Sequence, residues 1–300
     1  MLETDLLLDR RRLKRRLNFW RVAAVLAAVA VVCVLALPGI RGGGRHLARV
    51  NVTGIITEDR KLVEAVLALA RDRSVPAVIV SIDSPGGSVA GGESLRGALL
   101  RVAAAKPVVA VMRGTAASAG YMVALPATRI FAREATLTGS IGVILQTGEV
   151  SGLLARLGIS AEAVTSGPLK DQPSLTRSLT PQGRAYLNGL VADMYDQFVG
   201  MVAEGRHMDA DAVRKLADGR AYTGRQAQKL GLVDEIGGEI EAREWLAKER
   251  NISTRLPARD VKPGDFYQRT IGAALGELWQ SLLGAAPVGA WSVWPGAAAS

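Results

Sequence analysis

The stretch AVIVSIDSPGGSVAGGESLRGALLRVAAAKPVVAVM, residues 77–112, decides the fold that this sequence predicts. It begins and ends with apolar runs, 77–82 and 107–112, and each run is continuous rather than alternating. Continuous runs of this kind are typical of strands covered on both faces of a sheet. The segment between them, 88–105, has helical spacing. A strand, a helix and a second strand in this order predict parallel strands joined by a right-handed connection.

The same alternation continues on both sides of this stretch. Upstream, LARVNVTGII (47–56) reads as a strand and residues 58–73 as a helix. Downstream, the sequence predicts three further short strands, which are RIFAR (129–133), IGVILQ (141–146) and SAEAVTSG (160–167). The prediction for this part of the chain is therefore an α/β fold.

Past Thr180 the chain is predicted to be mostly helical. Thr180 is a suitable N-cap and Pro181 suits the first helical position, so a long helix is expected from there to about residue 204. Shorter helices are expected over 209–217 and 239–250. Between these two, GRAYTGRQAQKLGLVDEIGG (219–238) reads as a turn, a helix, a short strand and a turn. The α/β part is thus followed by a helical C-terminal part.

Length, charge and cysteine count limit the domains, partners and disulfides that this chain can have. A chain of 300 residues has room for one large domain or two small ones. The net charge of +9 is concentrated in residues 1–50, which contain ten Arg or Lys and three acidic residues. The remainder is nearly neutral, so no nucleic-acid partner is expected. The single cysteine, Cys33, excludes an intrachain disulfide.

The N-terminal segment has the pattern of a membrane anchor. Residues 22–40 contain no charged side chain and are long enough to span a bilayer as a helix. Basic residues crowd positions 10–16, which places the N-terminus in the cytoplasm and the rest of the chain across the membrane. The predicted organisation is a basic cytoplasmic segment (1–21), an anchor (22–40) and a short tether (41–46). A buried core helix and a cleaved signal peptide are the alternatives, although Leu37 and Pro38 make a poor cleavage site.

Two loops are candidates for a functional site, because ligands of parallel sheets gather at the carboxyl ends of strands. The loop SIDSPGGSV (81–89) has adjacent glycines, so it is either an ordinary turn or a loop whose amides bind a developing anion. It lacks a following GK[ST], so a phosphate-binding loop is unsupported. The second loop, RGTAASAGYMVALPA (113–127), places Ser118 at the start of an apolar helix. Ser118 is there either as an N-cap or as a nucleophile.

A serine nucleophile needs a base, and histidine is scarce in this chain. His46 falls in the predicted tether and His207 follows the long helix, so a Ser-His-Asp triad is not favoured. Lys170 lies in TSGPLKDQPSLTRSLT (165–180), a loop of small and polar residues. It is either a solvated loop lysine or a base, since burial among apolar groups lowers the pKa of a lysine toward neutrality.

Five segments together resemble one family. SIDSPGGSV, GTAASAGYMVAL, LTGSIGV, SGPLKDQPSLTRSLT and GRAYTGRQAQKLGLVDEIGG occur in the order and at the spacing of the signal peptide peptidase A family. These are membrane-bound serine proteases with a Ser/Lys dyad. Their fold, repeated β-β-α layers, is shared with Clp protease and the crotonases. The resemblance covers about residues 47–250 of this chain.

The resemblance implies a role for four residues. Ser118 matches the nucleophile and Lys170 the general base, while the amides of Gly87 and Ala119 match the oxyanion hole. No metal or other cofactor is implied. The chain has ASAGYM where the family commonly has ASGGYY, which leaves the Ala119 amide in place but puts a role for a second aromatic residue in doubt.

The resemblance also implies substrates, location and assembly. It implies a protease domain (47–254) in a single-pass protein of the bacterial plasma membrane, with the catalytic domain outside the cytoplasm. The expected substrates are signal peptides left in the membrane, cut within their apolar core. A homo-oligomeric ring is expected, with serine and lysine meeting across a subunit boundary. The C-terminal extension (255–300) has no assigned role, although its apolar stretch 270–285 suits packing on a neighbouring subunit or on the membrane surface.

Two other functions fit parts of the pattern. A crotonase-type acyl-CoA enzyme would share the fold and an oxyanion hole, but not the anchor or the loop lysine. A catalytically inactive membrane scaffold would bind peptides without cutting them. Labelling of Ser118 by a serine-directed reagent separates these readings.

Overall fold

The computed structural model describes residues 16–30 and 44–262. Residues 16–30 are helical, and within these two ranges no helix is both long enough and apolar enough to cross a membrane. The predicted basic segment (1–21) and anchor (22–40) lie partly outside the described residues. The apolar stretch 270–285 lies entirely outside them.

One mixed sheet organises the part of the chain that follows residue 44. Its strands are β1 (Leu47–Ile56), β2 (Val78–Gly87), β3 (Val108–Ala117), β4 (Arg129–Ala132), β5 (Leu137–Gly139), β6 (Ala221–Thr223), β7 (Glu235–Ile236) and β8 (Ala258–Asp260). The main strand order is β6-β5-β3-β2-β1-β8, and β4 pairs with both β3 and β7. The β5–β6 pair is antiparallel and the other pairs are parallel. This confirms the predicted α/β class.

Helices cover the sheet on both faces. They are α1 (Arg60–Leu69), α2 (Val89–Ala103), α3 (Ala119–Ala124), α4 (Ser151–Arg156), α5 (Pro181–Arg206), α6 (Ala210–Leu216), α7 (Gly224–Lys229) and α8 (Glu239–Arg250). Along β2, Val78, Val80 and Ile82 belong to the larger core cluster, which includes Leu99 of α2 and Phe198 of α5. The intervening Ile79 belongs to a second cluster, on α8. Both faces of β2 are therefore buried, which explains its continuous apolar run.

Strand β3 pairs with two strands, β4 and β5, along the same edge, and this arrangement positions the candidate site. Its first half, Val109–Met112, pairs with β4, and its last three residues, Thr115–Ala117, pair with β5. On the other side, β2 pairs with β3 up to the register Ser84↔Ala116. The two loops singled out by the sequence therefore leave the sheet side by side.

The helical C-terminal part agrees with the prediction. The Thr180 side chain accepts a hydrogen bond from the Gly183 N–H, and Pro181 begins α5. Asp209 caps α6 in the same way, and α8 spans the expected residues 239–250. The starts of α5 and α6 were predictable because each has a capping side chain in front of it.

Two predicted strands are wrong. Neither 141–146 nor 160–167 forms a strand. Ile144 is 78% exposed and Val164 is 100% exposed, so these apolar residues have neither a neighbouring strand nor a core to pack on within the described residues. The three residues of β5 form the ladder with β3 instead.

The sheet also extends beyond the expected domain limit at residue 254. Strand β8 pairs in parallel with β1, in the register Leu47↔Ala258, and therefore adds residues of the predicted C-terminal extension to the sheet. The sequence signal was weak, because β8 is three residues long and contains two charged residues. His46, assigned to the tether, is buried, and its backbone N–H donates to the Ser74 carbonyl.

Candidate active site

Ser118 occupies a sharp turn between β3 and α3. Its φ of 53° and ψ of −122° lie outside the regions that non-glycine residues favour. Such a conformation costs roughly 1–3 kcal/mol and persists only where its surroundings impose it. Here the Ser118 N–H donates to the Gly139 carbonyl of β5 at 2.9 Å, and the Ser118 carbonyl accepts from the Met122 N–H at 3.0 Å.

The hydroxyl of Ser118 is not used for capping. The residue stands at the N-cap position of α3, yet its side chain makes no capping hydrogen bond. An N-cap serine stabilises a helix through that bond, so capping does not account for this serine. The side chain is partly exposed, while all six residues of α3 are buried. A strained, accessible serine on a strand-to-helix turn has the geometry of a nucleophile elbow.

The glycine loop of β2 lies against this serine. Gly86 has a φ of 118°, and a Cβ built on it would lie 2.8 Å from Ser118 Cβ and 3.3 Å from Ser118 Oγ. Only glycine permits both this backbone angle and this approach. A Cβ on Gly87 would overlap the carbonyl oxygen of Ile56 on β1. The structure thus brings the predicted Gly87 loop to Ser118, with Gly86 making the contact.

Ser84 holds the glycine loop in place and was not singled out by the sequence. The residue is fully buried. Its Oγ donates to the Gly54 carbonyl at 2.6 Å and accepts from the Gly86 N–H at 3.1 Å. A serine that bonds to a backbone amide two residues ahead is a known turn element, so the SPGG sequence held a usable signal. Ser84 thus ties the loop to β1.

Ala119 places its backbone amide next to Ser118. It is the first residue of α3, and a helix has no internal acceptor for its first N–H groups. Ala119 itself is buried, and a Cβ on Gly92 of α2 would lie 3.0 Å from its side chain. This packing fixes the start of α3, so the position of the Ala119 amide is set by the fold.

Tyr121 is a residue of α3, and its side chain anchors that helix in the core rather than taking part in the reaction. It is fully buried, and its hydroxyl donates to the Leu232 carbonyl at 2.8 Å. Burial raises the pKa of the Tyr121 phenol well above its ordinary value, so the phenol keeps its proton. The next residue, Met122, is buried as well. The departure from the family's second aromatic residue therefore falls in the core.

Lys170 lies in an exposed turn, and the burial expected of a lysine base is not observed in this chain. Its side chain is exposed, and its backbone N–H donates to the Gly167 carbonyl at 3.1 Å. The next residue, Asp171, forms an ion pair with Arg177. Among the described residues, no hydrogen bond joins Lys170 to Ser118. The structure therefore assembles the serine, Gly86, Gly87 and Ala119, but leaves the lysine without an apolar enclosure.

The residues around Lys170 expose an unusual amount of apolar surface. We call residues 141–179 the Lys170 segment. It contains α4, which buries none of its six residues. The large apolar side chains that it exposes are Ile144, Leu145, Val150, Leu153, Leu157, Ile159, Val164 and Leu175. Exposed apolar residues concentrated in one segment are typical of a surface that another molecule covers.

Comparison with known proteins identifies a peptidase family. The model of peptidase family S49 matches residues 101–253, about half of the chain. A provisionally named protease from Synechocystis sp. is 41% identical over 204 residues, which cover 68% of this chain and 74% of that protein. A provisionally named signal peptide peptidase, SppA, from Enterococcus faecium is 35% identical over 235 residues, or 77% of this chain and 66% of that protein.

Among solved structures, a membrane-bound stomatin-specific protease is similar over 74% of this chain and 100% of its own length. Its TM-score is 0.48 and its sequence identity 16%.

Proposed function

The chain belongs to peptidase family S49, the family of signal peptide peptidase A, and on that premise we propose that it is a membrane-anchored serine endopeptidase with a Ser118/Lys170 dyad. The observation that carries the proposal is the turn at Ser118. It combines a strained backbone, a hydroxyl free of capping and a glycine loop in contact with the side chain. Capping alone would require none of the three.

The proposed chemistry is acyl transfer. Neutral Lys170 Nζ takes the proton of Ser118 Oγ as the oxygen bonds to the peptide carbonyl carbon. The carbonyl oxygen becomes an oxyanion, which the N–H groups of Gly87 and Ala119 stabilise. Protonated Lys170 then gives its proton to the departing amine. In the second half the lysine takes a proton from water, whose oxygen attacks the ester, and Ser118 regains its proton.

This mechanism requires a change around Lys170. Lys170 is exposed, whereas a lysine that acts as a base needs an apolar cover, because burial among apolar groups favours the neutral amine. We propose that a second copy of the chain provides it in a homo-oligomeric ring, in which Ser118 of one subunit meets Lys170 of another. The exposed apolar residues of the Lys170 segment support this assignment.

Substrate, location and architecture complete the proposal. We propose that residues 22–40 anchor the protein in a bacterial plasma membrane, with the N-terminus cytoplasmic and the protease domain outside. The substrates are cleaved signal peptides, cut within their extended apolar core. We also propose that the sheet and its helices form the layered fold shared by Clp protease and the crotonases.

Covalent labelling tests the nucleophile directly. The purified full chain is treated with a fluorophosphonate, and the modified residue is mapped by peptide mass spectrometry. We expect modification at Ser118, none in Ser118→Ala, and normal labelling in Ser253→Ala, which removes another exposed serine. No labelling of the active protein at Ser118 would overturn the assignment. Thioester binding without peptide hydrolysis would instead indicate a crotonase-type enzyme, and peptide binding without labelling a scaffold.

A further inference from the structure

A second concave site lies at the opposite end of the sheet from Ser118. It is a groove of about 720 Å³ between α1, the beginning of β1 and the residues that follow β8. Ala48 near the start of β1 and Val75 just before β2 line it. Ser118 follows the carboxyl end of β3, which runs parallel to β2. The groove therefore faces away from the candidate active site.

The groove has an apolar wall and a basic rim. Its wall includes Ala65 and Leu69 of α1, which are buried, together with Ala68. Its rim carries four basic side chains, all exposed: Arg71, Arg101, Arg259 and Lys262. We call this feature the basic groove. A ligand that fits it would have an anionic group beside an apolar group.

The acidic side chains of the groove are already engaged. Glu64 pairs with Arg60 at 2.7 Å, and Asp260 pairs with Arg49 at 3.0 Å. The Asp72 carboxylate accepts from the Ser74 hydroxyl at 2.7 Å and from the Ser74 N–H at 2.8 Å. Within residues 44–262 the four basic side chains of the rim form no ion pair with an acid. The rim therefore keeps its positive charge available for an external anion.

Residues next to both outer strands of this end of the sheet line the basic groove. One is His46, which directly precedes β1. Lys262, two residues after the end of β8, lines it as well. The sequence before residue 44 contains the uncharged run 22–40. The groove thus adjoins the point at which the domain joins its proposed anchor.

We propose that the basic groove binds an anionic membrane phospholipid. Its phosphate lies among the rim side chains, and the upper part of an acyl chain lies along the apolar wall. Basic residues near a membrane surface attract anionic lipids, and a groove that also offers apolar contact favours a lipid over free phosphate. The binding chemistry follows from the groove alone, and only the choice of a membrane as the lipid source rests on the proposed anchor.

Lipid titration of the full chain tests this proposal. The protein is purified in a nonionic detergent and freed of lipid. Dioleoyl phosphatidylglycerol or dioleoyl phosphatidylcholine is then added, and bound lipid is counted by native mass spectrometry. The variant Arg71→Gln/Arg101→Gln/Arg259→Gln removes three rim charges. The control Arg184→Gln/Lys215→Gln/Lys229→Gln removes three exposed charges elsewhere and leaves the same net charge.

We expect wild type and control to prefer phosphatidylglycerol, and the rim variant to bind it roughly 100-fold more weakly, or about fivefold per charge removed. Equal affinities in all three proteins would overturn the proposal. Competition by glycerophosphoglycerol as strong as that of the whole lipid would show an anion site without an acyl contact. A photo-crosslinker at position 68 that captures residues 263–300 instead of lipid would show that the chain's own C-terminal segment fills the groove.

Peptide hydrolysis, measured on the same samples, separates this inference from the proposed function. The rim variant should keep wild-type hydrolysis in detergent, because the basic groove lies at the other end of the sheet. If the rim variant hydrolyses peptide normally and binds lipid with unchanged affinity, only the lipid-binding proposal is refuted. If the protein binds lipid but is not labelled at Ser118, only the proposed protease function is refuted.

Discussion

The Ser118 turn and the Lys170 segment carry the two halves of the proposed dyad, and the fold treats them in opposite ways. Ser118 stands between two buried elements, and backbone hydrogen bonds and a glycine contact hold it in a strained conformation. Lys170 stands in an exposed turn, in a segment whose apolar side chains largely face solvent. The fold positions the serine half within one chain, while the lysine half, in the proposed ring, is completed by a second copy. The difference teaches that the proposed dyad is to be tested in the assembly as well as in the isolated chain.

Removal of the base should produce the largest effect. We expect Lys170→Ala to lower kcat/KM about 10⁴–10⁶-fold, the range seen when a member of a catalytic triad is lost. Lys170→Arg should fail equally, because a guanidinium does not become neutral near pH 7. Hydrolysis of an apolar fluorogenic peptide measures this, with Lys215→Ala as the control for loss of an exposed lysine. Substantial activity in Lys170→Arg would place the base elsewhere.

Mixing inactive chains tests whether the two halves come from different subunits. Ser118→Ala and Lys170→Ala chains are coexpressed with different tags and purified through both tags. With random mixing, about a quarter of the interfaces pair an intact serine with an intact lysine, so about a quarter of wild-type activity should return. Doubly tagged assemblies with no more activity than either variant alone would place the whole dyad within one subunit.

Substitution of Gly86 tests the Ser118 half of the proposed site, which the fold forms within one chain. In Gly86→Ala the new Cβ meets Ser118 Cβ at 2.8 Å on a backbone with positive φ. We expect kcat to fall about 10²–10³-fold as the oxyanion donors shift. The free energy of unfolding should fall by roughly 1–3 kcal/mol.

The matched control for Gly86 is Gly97→Ala in α2, where a Cβ would meet no atom within 4 Å. This substitution should be neutral or stabilise by about 0.5–1 kcal/mol, because alanine suits a helix interior better than glycine. Activity and urea unfolding measured on both variants make the comparison. Full activity in Gly86→Ala would show that the glycine loop does not shape the site.

Ser84 should act on the site through the glycine loop. In Ser84→Ala the Gly86 N–H and the Gly54 carbonyl lose a buried partner, at a cost of about 1–3 kcal/mol. We expect a roughly 10–100-fold loss in kcat with little change in KM, since the loop contacts the transition state more than the bound substrate. Ser81→Ala, three residues earlier on β2, is the control. A rise in KM with unchanged kcat would contradict a role in positioning the loop.

The smallest effect is expected in the Lys170 segment. Leu153 is 58% exposed, so Leu153→Ala should change the unfolding free energy of the dissociated chain by no more than about 0.5 kcal/mol. Leu99→Ala, in the core, should cost about 2–5 kcal/mol. Urea unfolding at several protein concentrations measures both. A large, concentration-independent loss in Leu153→Ala would show that the segment packs on its own chain.

Sequence patterns predicted the elements that carry their own local signals. The capped start of α5 at Thr180 and Pro181, and the two-sided burial of β2, were readable because the determining residues are neighbours in the chain. The Ser118 turn and the glycine loop were located for the same reason. These features need no knowledge of what the rest of the chain does.

The errors arose where structure depends on a distant partner. Residues 141–146 and 160–167 have the apolar content of strands, but a strand needs another strand to pair with, and the sequence does not show whether one is near. Strands β5 and β8 have little strand character of their own and exist because β3 and β1 offer free edges. The role of Ser84 depends on Gly54, thirty residues away. The exposure of Lys170 was likewise invisible in its own loop.

The length of β1 sets the distance between the basic groove and the glycine loop. This strand has ten residues, so it spans about 33 Å at roughly 3.3 Å per residue. It begins at the basic groove and ends beside Gly87. With the proposed anchor at the first end and β1 perpendicular to the membrane, an extended substrate would emerge about ten residues beyond the lipid surface before its scissile bond reached Ser118. The domain would then act as a length filter that cuts peptides already slipping out of the bilayer and spares intact membrane spans.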